Sequence, residues 1–346
     1  MEDNQEDELL FELRESNLNS GMRGIPVGTC FTSYVTPEGG VHYIGYPIEE
    51  LAEMRPEDVV YLLHHKALPS SEESAAFRHN LAQRAIIPNG LMDVLRSLPK
   101  NGHPMDWLSV GLHTLGMLGK TGDWEEDSLN LIARMPILMA LMFRVREGRE
   151  DDIPDSRPEL GLVENFVHVL DLTEVDSNKM IKVLKVFLVL HMDHGGGNLS
   201  TFIGKGTASG HADLYSSMAS AMNALSGPLH GRANQACLDF VKRIGSPERE
   251  HVERFVRNEL EEKRPIYGFG HAVLRVEDPR ARIQFLLGEQ ICPDDLNFKI
   301  IRTLRIIAPE ILEENPRINN PNANVDIASG TLLNNVGFTN SDYYTT

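Results

Sequence analysis

The segment from Lys263 to Arg282, KRPIYGFGHAVLRVEDPRAR, gathers residue types that handle small anions. Pro265 ends any preceding helix. Gly268 and Gly270 flank Phe269 in a turn, where a missing Cβ lets a ligand approach the backbone closely. His271 follows, at the start of an expected helix, with Arg275 four and Arg280 nine residues further on. An imidazole at a helix start, ringed by guanidinium groups, suits an anionic, carbonyl-bearing small molecule. Taken alone, the segment reads equally well as a loop histidine among surface arginines. Three other segments add chemistry-bearing residues: VLHMDHGGGNLS with His194 and Asn198, LSGPLHGRANQA with His230, and NVDIASG with Asp326.

Acid dominates the chain that must position these groups. Its 346 residues carry 33 Lys and Arg against 50 Asp and Glu, a formal charge of −17. Phosphate requires a basic face, so this is not the balance of a general nucleic-acid binder. A local basic pocket from Lys263, Arg264, Arg275, Arg280 and Arg282 is still available. Hydrophobic content of 41% and charged content of 24% are those of a globular protein with chain for one large or two ordinary domains. Cys30, Cys237 and Cys292 are scattered and odd in number, which points to buried thiols rather than a disulfide framework or CxxC site. His191, Asp193 and His194 could be imagined around a metal, but no further ligand cluster joins them, and none is expected. The N-terminal MEDNQEDELLFEL is acidic, unlike a secretory signal or an Arg-rich transit peptide. Apolar runs such as Val186–Leu190 fall short of the roughly 20 residues of a membrane span. The expected compartment is the cytoplasm.

Residues 1–20 read as a polar, acidic arm. From Thr29 to Tyr46 alternation and β-branched residues around TPEGG predict one hairpin. Beyond Glu49 apolar residues recur at three- and four-residue intervals, predicting helices over 56–67, 72–86, 89–97, 104–118, 126–146 and 160–171. Residues 147–158 read as a solvated loop. SNKMIKVLKVFLVL, residues 177–190, is apolar almost all round towards its end, as a buried helix is, and delivers His191, Asp193 and His194 to a glycine break at Gly195–Gly197. Thr207–Leu225 is rich in Ala, Ser and Gly and predicts a helix at a tight contact, within or between chains. Further helices are expected over 231–244, 247–262, 279–290 and 295–307.

The four segments together resemble the citrate synthase family. GPLHG, GFGHAVLR followed by DPR, and NVD with a Ser-Gly shortly after are its diagnostic strings. They stand in the family's order, with 36 residues from His194 to His230, 41 to His271 and 55 to Asp326. His103-Pro104-Met105 and NSDYYT are shared as well; the wording is closest to the eukaryotic-type branch, and the resemblance runs from about Gly21 to Thr346. It implies an all-α, two-domain helical fold, large and small, with one short N-terminal β-hairpin. The large domain would span 1–226 with dimer-interface helices, the small one 227–325, and 326–346 would return to the large domain. It also implies a homodimer that needs no cofactor and takes acetyl-CoA and oxaloacetate as substrates, without nucleic-acid or membrane partners.

By the same resemblance, Asp326 takes a proton from the methyl group beside the thioester, and His230 hydrogen-bonds the thioester oxygen as a neutral imidazole favoured by a nearby helix N-terminus. His271 polarises the oxaloacetate ketone. His194, Asn198, His271 and Arg280 bind oxaloacetate, Arg280 by a two-pronged fork. Pro265, Ile266, Gly268 and Gly270 face the CoA adenine, with Arg275 near the phosphates and Asn324 near the thioester. A lone aspartate before IASG would otherwise read as a helix cap, and a lone histidine after Gly-Pro as a turn residue.

Three departures are visible. Ile44 stands where the family has an arginine of Arg-Gly-Tyr, and Gly195 where it has an acid after Asp-His. The given residues end at Thr346, where the family continues into helices with two further substrate arginines. Weak or absent activity and exposed apolar surface are therefore expected of these residues alone. Three other readings stay open: a 2-methylcitrate synthase using propionyl-CoA, a catalytically weak member with a binding or assembly role, and a citryl-CoA lyase module.

Overall fold

A computed structural model describes residues 28–346 except Gly196 and Leu229, together with residues 9, 12–15 and 17. Most of the expected acidic arm, and the middle glycine of the expected helix break, lie outside the described residues.

The chain opens with strands β1 (Ser33–Thr36), β2 (Gly40–Tyr43) and β3 (Tyr46–Pro47) in one antiparallel sheet of order β1-β2-β3. Ser33 pairs with Tyr43, Thr36 with Gly40, and His42 with Pro47, so the expected hairpin carries a short third strand. The β2–β3 turn is Ile44-Gly45, with φ of 49° and 87°. A β-branched residue is strained there; the Ile44 amide donates to the Thr32 carbonyl at 2.8 Å and holds the turn on β1.

Helices follow: α1 (Ile48–Leu51), α2 (Pro56–His65), α3 (Ser71–Arg84), α4 (Leu91–Ser97), α5 (Pro104–Gly119), α6 (Trp124–Arg146) and α7 (Leu162–Leu170). Then come α8 (Ser177–His191), α9 (Leu199–Ser209), α10 (Leu214–Leu225), α11 (Ala233–Ile244), α12 (Arg249–Glu261), α13 (Pro279–Ile291), α14 (Leu296–Leu312) and α15 (Asp326–Asn335). A 3-10 turn closes the chain at Ser341–Thr345. Caps set many starts: Ser70 makes a reciprocal capping box with Glu73, and His103 accepts from the Met105 amide with Pro104 at the first position. Trp107, Tyr43, Tyr215, Phe240 and Phe298 are fully buried in one core running from the sheet to α15.

Three expectations change. The single helix over 207–225 is two, because His211 takes a left-handed φ of 59° and Asp213 caps α10 by accepting from the Ser216 amide at 2.9 Å. Within the chain these helices already approach closely, as one of the two readings allowed: a Cβ on Gly204 would lie 3.2 Å from the Ala221 Cβ. Among the described residues α6 is long and apolar enough to cross a membrane, contrary to the reading of its sequence; here Leu131, Leu138, Leu141 and Phe143 bury it in the core. Finally, α8 is not enclosed all round. Leu184, Phe187 and Leu188 line an apolar groove of about 540 Å³ with Met139, Phe166 and Tyr343, and Thr346 lies on its rim.

Candidate active site

His194 sits in the loop that leaves α8. The Asp193 amide donates to the Tyr43 hydroxyl at 3.2 Å, and that hydroxyl donates to the Val189 carbonyl at 2.9 Å, so β2 fixes the helix exit. Gly195 takes a left-handed φ of 77°, which explains a glycine where a side chain would be strained. The His194 ring centre lies 5.4 Å from that of His271. Burial, then the Arg280 guanidinium and the His271 imidazole, lower the His194 pKa to about 4, and its buried Nε2 finds no partner among the described residues.

His271 does not begin a helix; α13 starts only at Pro279, capped by Asp278. Instead its Nδ1 accepts the amides of Val273 and Leu274 at 3.1 and 3.0 Å. In the neutral ring, which burial favours, the proton is therefore on Nε2, and that nitrogen is a donor. The turn before it is held from the far strand of chain. The Gly270 amide donates to the Asn322 carbonyl at 3.0 Å, the Asn324 amide to the Gly268 carbonyl at 2.9 Å, and the Asn324 side chain to the Gly270 carbonyl at 2.9 Å. Gly268, with φ of 83°, packs so tightly that a Cβ would lie 2.9 Å from the Ile327 Cβ and 3.0 Å from the Cys237 sulfur.

Asn324 also accepts the Asp326 amide at 3.0 Å, so one side chain joins the His271 turn to the first residue of α15. The Asp326 carboxyl is not a cap: its pKa is pushed up to about 6 by burial, against the pull of Arg280 and with the repulsion of Asp278. A carboxylate so placed is a stronger base than a solvated one. Asp278 and Arg280 form a buried pair, with Nη2 to Oδ2 at 2.7 Å and Nε to Oδ1 at 3.1 Å. Although burial opposes it, Arg280 holds Asp278 below the usual carboxylate range. The Arg280 fork is thus engaged within the protein, and Nη1 is the prong left for a ligand.

His230 lies apart from these groups. Its Nε2 is 3.2 Å from the Ser200 amide and 3.1 Å from the Ser200 hydroxyl, at the first turn of α9. Accepting that amide leaves the ring proton on Nδ1, and burial lowers the pKa. The helix N-terminus expected beside His230 is therefore that of α9. A hydrogen-bond path runs on from Ser200 Oγ to Asn198 Oδ1 at 2.8 Å. Asn198 serves here as the α9 cap, accepting from the Thr201 amide at 2.9 Å. Among the described residues no hydrogen bond or ring contact joins His230 to Asp326 or His271. Arg275 is exposed, its Nη1 turned onto the carbonyls of residues 272–274, while Ile266 is buried and Pro265 exposed.

Asp278, Ser200 and Asn324's bridging role complete the arrangement. Asp278 was legible as the acid two before Arg280; Ser200 carried no signal, since its partner is 30 residues away. Among the described residues no group of three or more His, Cys, Asp or Glu side chains is placed to hold a metal ion.

Residues 21–346 match the family described as citrate synthase, C-terminal domain. The chain is 34% identical over 354 residues to citrate synthase 4, mitochondrial, of Arabidopsis thaliana, covering 94% of this chain and 74% of that protein. It is 33% identical to the mitochondrial citrate synthase of Daucus carota, with the same coverage of 94% and 74%. The crystal structure of citrate synthase from Thermotoga maritima superposes with a TM-score of 0.81 at 31% identity, over 94% of this chain and 86% of that one. The Thermoplasma acidophilum enzyme, solved in a ternary complex with carboxymethyl coenzyme A and oxaloacetate, shares the fold with a TM-score of 0.81 at 22% identity, over 94% and 87%.

Proposed function

The chain belongs to the citrate synthase family, and we propose that Asp326, His230 and His271 carry that family's condensation of acetyl-CoA with oxaloacetate. The protein is an acyltransferase of this class, and relatives named citrate synthases favour acetyl-CoA over the propionyl-CoA reading. The observation that carries the assignment of roles is the pair of tautomers. Backbone amides occupy Nδ1 of His271 and Nε2 of His230, so each neutral ring keeps one N–H to donate.

In this reading Asp326 removes a proton from the thioester methyl group while His230 Nδ1–H supports the developing enolate oxygen. The resulting carbon nucleophile attacks the oxaloacetate ketone, polarised by His271 Nε2–H. Water then cleaves the citryl thioester to citrate and CoA. His194 Nε2, Arg280 Nη1 and Asn198 face the oxaloacetate carboxylates. Residues Pro265, Ile266, Gly268 and Gly270 present backbone to the adenine, with Arg275 at the phosphates and Asn324 at the thioester end.

Two lobes, 1–226 with 326–346 and 227–325, are proposed to close over substrate and bring His230 towards Asp326. Helix α13 packs on α1 and α8, so the smaller lobe already touches the larger at the sheet side. A second copy of the chain is proposed to cover α9, which has no buried residue although it carries Leu199, Phe202 and Ile203; sedimentation equilibrium tests the dimer. The cytoplasm stays the proposed compartment, set against relatives named mitochondrial, and cell fractionation separates the two. The central test is release of CoA from acetyl-CoA with oxaloacetate, beside propionyl-CoA. No release with either, while oxaloacetate binds in calorimetry, would favour the binding or assembly role.

A further inference from the structure

Among the described residues, nearly all of the regular structure is helical apart from one small sheet, and that sheet grips the oxaloacetate side of the cleft at two places. At the first, Ser33 Oγ of β1 donates to Asp193 Oδ1 at 2.6 Å, and the neighbouring Thr32 hydroxyl donates to Asp193 Oδ2. The Gly195 amide closes the ring, 2.6 Å from Ser33 Oγ and 3.0 Å from Asp193 Oδ1. His194 lies between these two anchored residues, in a loop outside helix and sheet. At the second place, the β1–β2 turn meets the segment leading to Arg280. The Arg275 amide donates to the Pro37 carbonyl at 2.8 Å, and a Cβ on Gly40 would lie 2.5 Å from the Pro279 ring.

We infer that Asp193 is a positioning residue: clamped by the hydroxyls of Thr32 and Ser33, it sets the His194 ring against His271 for oxaloacetate. Its carboxylate does not face substrate, since one oxygen is held by Ser33 of β1 and the other by Thr32 just before it. Two hydroxyl donors and one amide fix the residues on either side of His194, so the backbone cannot swing and the buried Nε2 keeps its aim. This rests on the proposed role of His194 in binding oxaloacetate, but it makes a separate statement about what orients the ring.

The variants are Asp193→Asn, the double substitution Thr32→Val with Ser33→Ala, and the conservative Ser33→Thr, each checked for folding by circular dichroism. The expected result is a KM for oxaloacetate raised about tenfold in the double variant, as expected for a lost supporting contact, with KM for acetyl-CoA unchanged and Ser33→Thr near wild type. The His194 ring signals in NMR should shift with it. Unchanged oxaloacetate KM and unchanged His194 signals in the double variant would overturn the inference, even should Asp193→Asn fail to fold. If His194→Ala leaves oxaloacetate KM alone, the role of His194 fails instead; the NMR shift then still decides whether the clamp orients the ring.

Discussion

The Asn324 side chain donates to the Gly270 carbonyl at 2.9 Å and accepts the Asp326 amide at 3.0 Å. One amide thus spans 54 residues of sequence and ties the turn before His271 to the proposed base. Asn324→Ala removes both bonds from a partly buried site. Each is worth about 1 kcal/mol, so a fall in stability of roughly 2 kcal/mol is expected in urea unfolding, with a larger proportional loss in kcat than in either KM.

Asp326→Asn should lower CoA release by about 10²–10⁴-fold, the usual contribution of a positioned base. In the wild type kcat/KM should rise with pH through about 6, where burial places this carboxyl. The sign for stability is opposite. A folded pKa above the unfolded value stabilises below about 4 and loses that contribution as pH rises to about 6. The variant should therefore melt no lower than wild type at pH 8, and a lower melting point there would count against the buried, desolvated carboxylate.

Unpairing the buried Asp278–Arg280 couple should be severe. Asp278→Asn leaves a guanidinium with 5% of its side chain exposed and without its hydrogen-bonded counter-charge, a change that costs about 3–5 kcal/mol. Chemical denaturation measures it. A loss under about 1 kcal/mol, the scale of surface pairs, would mean that solvent reaches Arg280 freely.

His194 is held neutral, its pKa lowered to about 4 by burial and by Arg280. A lowered histidine pKa gives stability that is complete above the unfolded value near 6.5 and lost as pH falls towards about 4. Melting points taken across that window should fall less steeply in His194→Gln than in wild type.

Gly195→Glu restores an acid where the family has one, but φ is 77° there and nothing lies within 4 Å of the added Cβ. Space is free and only backbone strain remains, about 1–2 kcal/mol. A melting point lower by a few degrees is expected, without gain in activity.

Much of this protein was written in one dimension. The strings around His194, His230, His271 and Asp326 name the family because their residue types and order survive without coordinates, and three- and four-residue periodicity marks most helices because each buries one face. Local signals fail where a distant partner decides. His271 looked like a helix start, yet its turn is shaped by Asn322 and Asn324, and α13 waits for the Asp278 cap. Thr207–Leu225 looked continuous because nothing in its composition shows that His211 will turn left-handed. The Arg280 fork, expected on substrate, is engaged by Asp278 only two residues earlier, a neighbour visible in the sequence although its burial is not. Sequence supplied the ionisable groups and the helices that carry them. The His271 tautomer and the Asp278–Arg280 pair are made by neighbours two or three residues away. Which nitrogen of His230 keeps its proton and which carboxyl is desolvated were instead set by tertiary packing, because the Ser200 amide and the solvent exclusion around Asp326 come from far along the chain.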